Sequence, residues 1–118
     1  MRNNHFIPFI IFSVQPDHFD KVIHQLDEEH VAYKLVEGCY EGHQEQSILV
    51  GSAHQKLVYG IALSEGQHTV LEVDGFRTAR LFSVPDRNMV SIGVWHKAKH
   101  GVDYDSWTLS EGVKWVVT

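Results

Sequence analysis

Between residues 6 and 82 the spacing of apolar residues switches back and forth between a period of two and a period near 3.6, and this alternation limits the folds open to the chain. Residues 6–14 (FIPFIIFSV) form a short β-branched and aromatic run that reads as a buried strand. Gln15-Pro16-Asp17 ends it. Phe19, Val22, Ile23 and Leu26 then recur at helical spacing behind Pro16 and Asp17, where a missing N–H and a negative charge both suit a helix start, so the pattern predicts a helix over about 17–29. Residues 32–50 return to extended character as AYKLVEGCY, a polar turn EGHQ and EQSILV, which together predict a hairpin. Ala53, Leu57, Val58, Ile61 and Ala62 fall on one stripe closed by Gly66, so a second helix is expected over about 52–65. HTVLEV, a turn at Asp74-Gly75 and FRTARLF complete the series.

The resulting βαββαβ order predicts a ferredoxin-like α+β sandwich, with both helices on one face of a split βαβ sheet. The tail adds MVSIGVW (89–95) and VKWVV (113–117) around the polar stretch KAKHGVDYDS, two strands that extend or cover the sheet. A face left bare by only two helices is often covered by oligomerisation. At 118 residues the chain reads as one domain, 1–118.

Composition removes several functional classes. The formal charge is −5, from 15 acidic and 10 basic residues, and no lysine–arginine cluster offsets it, which disfavours electrostatic capture of nucleic acid. The apolar run at 6–12 is far short of the roughly 20 residues of a membrane helix and lacks a small-residue cleavage site, so no membrane partner is expected. Cys39 is the lone cysteine, which fits a reducing cytoplasm. His96 and His100 are four residues apart but lie in loop-like sequence without HExxH, paired cysteines or acidic ligands, so no metal is expected. His18, His24 and His30 fall on the polar side of the first helix. Neither a GxSxG elbow nor a glycine-rich phosphate loop is present, and no cofactor is implied.

What remains is the hairpin Val36–Ser47, which gathers a phenol, three carboxylates, a histidine and two amides around Gly38 and Gly42. It reads either as a site held between strands or as a solvated tip with Gly38 in a bulge and Gly42 in the turn. Several pieces in order carry a resemblance: Gly38-Cys39-Tyr40, the acid at Glu45, the run from Val73 to Leu81 (VDGFRTARL) and the closing WTLSEGVKWVV. Together they span most of residues 36–117. The chain resembles the small phage-encoded S-adenosylmethionine lyases, formerly described as hydrolases, although only EGHQ separates the tyrosine from the acid, a shorter segment than in the family.

The resemblance implies a ferredoxin-like, PII-like subunit in a homotrimer with active sites between subunits, working in the host-cell cytoplasm. It implies cleavage of S-adenosylmethionine to 5′-methylthioadenosine and homoserine lactone, which counteracts host methyl-dependent restriction. The family's site tyrosine and glutamate correspond by motif to Tyr40 and Glu45. Phe76, Arg77 and Arg80 follow the DG turn and read equally as interface or as an ordinary basic strand. Two other classes stay open. One is a PII-like module that binds an adenine nucleotide without turning it over. The other is an acidic anti-restriction mimic of DNA, against which the interspersed charges speak.

Overall fold

The computed structural model describes residues 7–67 and 69–118. The first residue of the expected strand 6–14 and His68 at the head of HTVLEV lie outside them. The strands are β1 (Phe9–Ser13), β2 (Tyr33–Tyr40), β3 (His43–Gly51), β4 (Thr69–Val73), β5 (Thr78–Ser83), β6 (Asn88–Lys97), β7 (Trp107–Ser110) and β8 (Val113–Val117). Between β1 and β2, a 3₁₀ turn at Pro16–His18 leads into α1 (Phe19–Glu28), and between β3 and β4 another at Ser52–His54 leads into α2 (Gln55–Ser64). Both helices begin and end within three residues of where the apolar stripes place them.

These strands do not form an open sandwich. The order expected over residues 9–73 is present, and its strands lie as β4-β1-β3-β2, but the sheet continues from β4 through β5, β6, β8 and β7 back to β2. The ferredoxin-like α+β expectation is thereby corrected to a closed, eight-stranded antiparallel barrel with two short helices, and the PII-like subunit shape that rested on an open sheet goes with it. The strand that makes the difference is β7, which bridges β2 at Cys39↔Trp107 and β8 at Thr108↔Trp115. The face expected to be covered by another subunit is the inside of the barrel.

Closure explains the uninterrupted apolar character of β1, whose residues alternate between two buried environments. Ile10 and Phe12 point outward with Ile48, Val50, Val70 and Phe82, under Val22 and Leu26 of α1 and Val58, Ile61 and Ala62 of α2. Phe9 and Ile11 point inward with Val36, Val73, Ala79 and Trp95, against Leu49, Leu71, Trp115 and Val117. Each fully buried aliphatic chain contributes roughly 1.5–3 kcal/mol of transfer free energy. The inner aromatic residues pack edge-on at Phe9–Trp95 (centroids 5.1 Å apart) and stacked at Trp95–Trp115 (5.7 Å).

Several turns are set by positive φ. Glu41-Gly42 (50°, 85°) and Glu111-Gly112 (52°, 79°) each make the two-residue connection of a tight hairpin. Both helices end in paired bonds to the last turn. Gly66 N–H donates to Leu63 O and Gln67 N–H to Ala62 O, while His30 (φ 56°) and Val31 do the same for Asp27 and Leu26. Gly93 (φ 143°) sits at the register shift between β5 and β6, where an added Cβ would lie 2.7 Å from the Thr118 carbonyl oxygen. Outside the barrel, His18 Nδ1 meets Glu65 Oε2 at 3.2 Å, joining the start of α1 to the end of α2 with a glutamate whose side chain is only 3% exposed. No helix among the described residues is long and apolar enough to cross a membrane.

Candidate functional site

The inward row of the barrel is apolar at one end and changes character along β1 and β3. Beyond Phe9 and Ile11 comes Ser13, and beyond Leu49 come Ser47 and Glu45, all on the same face by strand alternation. Ser13 and Ser47 are direct register partners, with their hydroxyls 3.1 Å apart. Ser13 Oγ also donates to Glu45 Oε1 at 2.5 Å. A carboxylate at the mouth is thus held by a hydroxyl fixed in a neighbouring strand, and Ser47 behind it is buried.

The β2–β3 hairpin fixes the rest. Its two-residue turn sets an unbroken register in which Gly38 faces Glu45 and Tyr40 faces His43, so Gly38 occupies an ordinary paired position and not the bulge the sequence allowed. A Cβ at Gly38 would meet Ser47 Oγ at 3.6 Å and Glu45 Cγ at 4.0 Å, which places this residue beside the Glu45 stem. The tip is tethered from across the barrel. Gly42 N–H donates to Asp105 O (3.3 Å), Glu41 N–H to Ser106 Oγ (3.2 Å), and the Cys39 thiol to Asp105 O (3.6 Å).

Two hollows flank this region, one of about 280 Å³ and one of about 250 Å³. The larger lies where the chain leaves β1, among Ser13–Pro16, Phe19 and Gln67; the smaller is bordered by Glu37, Gly38 and Trp107. They share Gln44, Glu45 and Gln46. Among the described residues their lining includes two carboxylates and several amides but no lysine, arginine or histidine. A phosphate would meet acid with no counter-charge, whereas an ammonium or sulfonium would meet an acceptor already positioned.

Of the two residues singled out in the sequence, Glu45 borders both hollows. Tyr40 borders neither: it stands at the hairpin tip, 60% exposed, on the same strand face as Gly38. His43, the histidine of the hairpin, also borders neither. His96 lies in β6 rather than in a loop, with Nε2 2.5 Å from Thr118 Oγ1 and Nδ1 2.8 Å from Lys97 O. Among the described residues no cluster of three or more histidine, cysteine, aspartate or glutamate side chains is arranged to hold a metal. Phe76 and Arg77 belong to the β4–β5 turn and Arg80 to β5, and Val73 before that turn pairs with Phe9 of β1, at the end opposite Ser13. There Arg80 Nη1 donates to Asp74 Oδ2 at 2.7 Å. Burial alone would raise the Asp74 pKa, but bonds from Arg80, Thr78 N–H and Phe76 N–H outweigh it and hold the carboxyl below its ordinary value.

Sequence reasoning gave no part to Ser13 and Trp107, and Ser47, Gln44 and Gln46 counted only as members of the hairpin it singled out. A signal for the two serines existed: each interrupts an otherwise apolar alternation that continues on the same face. Trp107 had none, because its neighbourhood depends on which strand β7 joins. No family model and no curated protein matches the chain.

Proposed function

We propose that this chain cleaves S-adenosylmethionine into 5′-methylthioadenosine and homoserine lactone, acting on host S-adenosylmethionine in a reducing cytoplasm and so depriving methyl-dependent restriction of its substrate. The observation that carries the reading is the lining of the two hollows, in which Glu45 is a preset acceptor with no basic side chain beside it among the described residues. The ordered motifs around Tyr40, Glu45, Val73–Leu81 and residues 107–117 give it a substrate. The same lining weighs against the adenine-nucleotide sensor, whose phosphates would lie against acid.

The chemistry asks little of the protein. A substrate carboxylate oxygen attacks Cγ, the Cγ–S bond breaks, its electron pair returns to sulfur, and the neutral thioether leaves; no proton moves. Catalysis is then chiefly the holding of the amino-acid arm in a folded, attack-ready conformer, for which effective molarities of order 10⁵ M or more are known. Glu45 takes the substrate ammonium, and Ser13 keeps its carboxylate from turning. Glu45 must stay with the ammonium and away from the sulfur, because positive charge disappears from sulfur in the transition state.

Tyr40, exposed and outside its own chain's hollows, serves a neighbouring protomer in a homotrimer, where its phenol or ring positions the carboxylate or sulfonium. Mass spectrometry of the purified protein with S-adenosylmethionine is the test. Methylthioadenosine and homoserine lactone are expected, and unchanged substrate after long incubation overturns the proposal. In ¹⁸O-water, label on the Cγ oxygen of homoserine would convert the reading from lyase to hydrolase.

A further inference from the structure

The side chains that border the smaller hollow stand mostly on the outer face of the sheet, opposite the face that carries the Glu45 carboxylate. Two rows of register partners cross β7, β2 and β3 there: Trp107, Cys39 and Gln44 in one, Leu109, Glu37 and Gln46 in the other. Strand alternation turns Glu45 inward, so the side chains left to this hollow are Trp107, Glu37, Gln44 and Gln46.

Cys39 accounts for the depression. Between the indole and the Gln44 amide stands only this small, buried residue, its thiol turned to Asp105 O at 3.6 Å, which leaves a gap of two strand spacings, roughly 10 Å. Such a gap admits a ring in contact with the indole at about 4 Å and hydrogen-bonded to the amide at about 3 Å. At about 250 Å³ the hollow is smaller than the roughly 300–1,000 Å³ of sites for drug-sized ligands, which also limits the occupant to one or two rings. Its walls are set in advance. The bonds from Gly42 N–H to Asp105 O and from Glu41 N–H to Ser106 Oγ fix the hairpin tip to the chain directly before Trp107.

The groups around the gap select the chemistry of a ligand. Among the described residues the Glu37, Gln44 and Gln46 side chains have no hydrogen bond or ion pair of their own, so their donors and acceptors are open. An anion would meet the Glu37 carboxylate. A cation stacked on the indole would meet Lys114, whose Nζ lies 4.8 Å from the ring centroid and which belongs to β8, on the side of β7 away from β2. A neutral ligand avoids both. The carboxylate and two amides hold more acceptors than donors, so the ligand must donate from several neighbouring positions on its rim. Vicinal hydroxyls do so without charge, whereas a nucleobase edge offers a single amino group. The axial C–H bonds of a pyranose ring, weakly positive, also suit the negative face of an indole.

We infer that this outer-face hollow is a saccharide-binding subsite, with Trp107 as the platform for a pyranose ring, Glu37 accepting from adjacent hydroxyls, and Gln44 and Gln46 pairing with others. The site goes beyond the cleavage at Glu45 and takes a separate ligand on the other side of the sheet.

The test titrates the full-length protein with four neutral saccharides (methyl β-D-glucopyranoside, methyl β-D-galactopyranoside, cellobiose and lactose) and with choline and inorganic phosphate as charged probes. At least one saccharide should bind with a Kd of about 1–10 mM, read by calorimetry and saturation-transfer NMR, as suits a shallow, exposed site. In ¹⁵N spectra it should move the Trp107 indole signal and the Gln44 and Gln46 side-chain amides. Trp107→Ala should weaken binding about tenfold, while Trp107→Phe, which keeps an aromatic face, should stay within about threefold. Gln44→Ala and Glu37→Gln, both at exposed positions where folding has little to lose, should each cost about threefold to tenfold. Choline and phosphate should show no binding that depends on Trp107. No binding by any of the four saccharides, binding unchanged in Trp107→Ala and Gln44→Ala, shifts confined to residues away from this face, or Trp107-dependent capture of choline or phosphate would each overturn the inference.

Discussion

The two ends of the barrel's inward row are built from the same strands and do opposite things. At the Phe9 end, aromatic and aliphatic side chains of β1, β3, β4, β6 and β8 fill the interior; at the Ser13 end, the Ser13 hydroxyl and the Glu45 carboxylate border a hollow with buried Ser47 behind them. Only one pair of register steps separates Ile11 from Ser13 and Leu49 from Ser47. A closed sheet can therefore give one end of its interior to cohesion and present polar groups at the other, where β1 stops at Ser13↔Ser47 while β3 runs on paired with β2.

That contrast can be broken experimentally. Trp95, packed between Phe9 and Trp115, is the strongest handle on the filled end, and Trp95→Ala should cost about 3–5 kcal/mol in a denaturant melt. Next comes closure itself. Gly93→Ala places a Cβ against the Thr118 carbonyl at a φ of 143°, and should cost about 3 kcal/mol by strain and displacement of β8. If the substitution is silent, β8 is not held where the register puts it.

At the open end the prediction inverts. Glu45→Gln should leave the unfolding midpoint nearly unchanged while lowering kcat/KM for S-adenosylmethionine on the order of a hundredfold or more, the loss of one charge-assisted contact. Should it destabilise the fold as Trp95→Ala does, the carboxylate is structural and the contrast between the ends fails. Tyr40→Phe should cost less than Glu45→Gln if the ring matters more than the hydroxyl.

The smallest effect tests the outer layer. On α2, burial and a hydrogen bond to Glu72 push the Tyr59 phenol up to about 12, while its ring stacks on Phe82 at 4.6 Å. A raised folded value against an unfolded value of about 10 means that this contribution is intact below pH 10 and is lost as pH rises from about 10 to about 12. Tyr59→Phe should flatten the fall in stability across that window, measured by urea titrations at successive pH values.

Much of the local structure was legible because local chemistry specifies it. The stripe at Val22 and Leu26, Pro16 at the helix start, Gly66 past the second helix and the Glu41-Gly42 turn all act within a few residues of themselves. The closure was not legible in the same way. WTLS is too short to announce itself as a strand, and what makes it decisive is a partner in β2 some seventy positions earlier, Cys39 for Trp107. One clue was nonetheless present: Glu111-Gly112 repeats the dipeptide that turns β2 into β3, and reading it likewise yields a second hairpin. The hairpin was visible as chemistry, because acids among amides invite attention, but only the resemblance picked Glu45 from its three carboxylates. Ser13 and Trp107 acquire meaning only once distant strands are laid side by side.

The tether between the hairpin tip and Asp105 depends mainly on backbone atoms: the carbonyl of residue 105 accepts from Gly42 N–H and from the Cys39 thiol. Side chains along 98–104 can therefore drift during divergence without loosening those two contacts. A change in the number of residues there would alter where the carbonyl falls. Related chains that keep this geometry should thus be recognisable by a conserved spacing between the end of β6 and Trp107, even where the intervening letters have been rewritten.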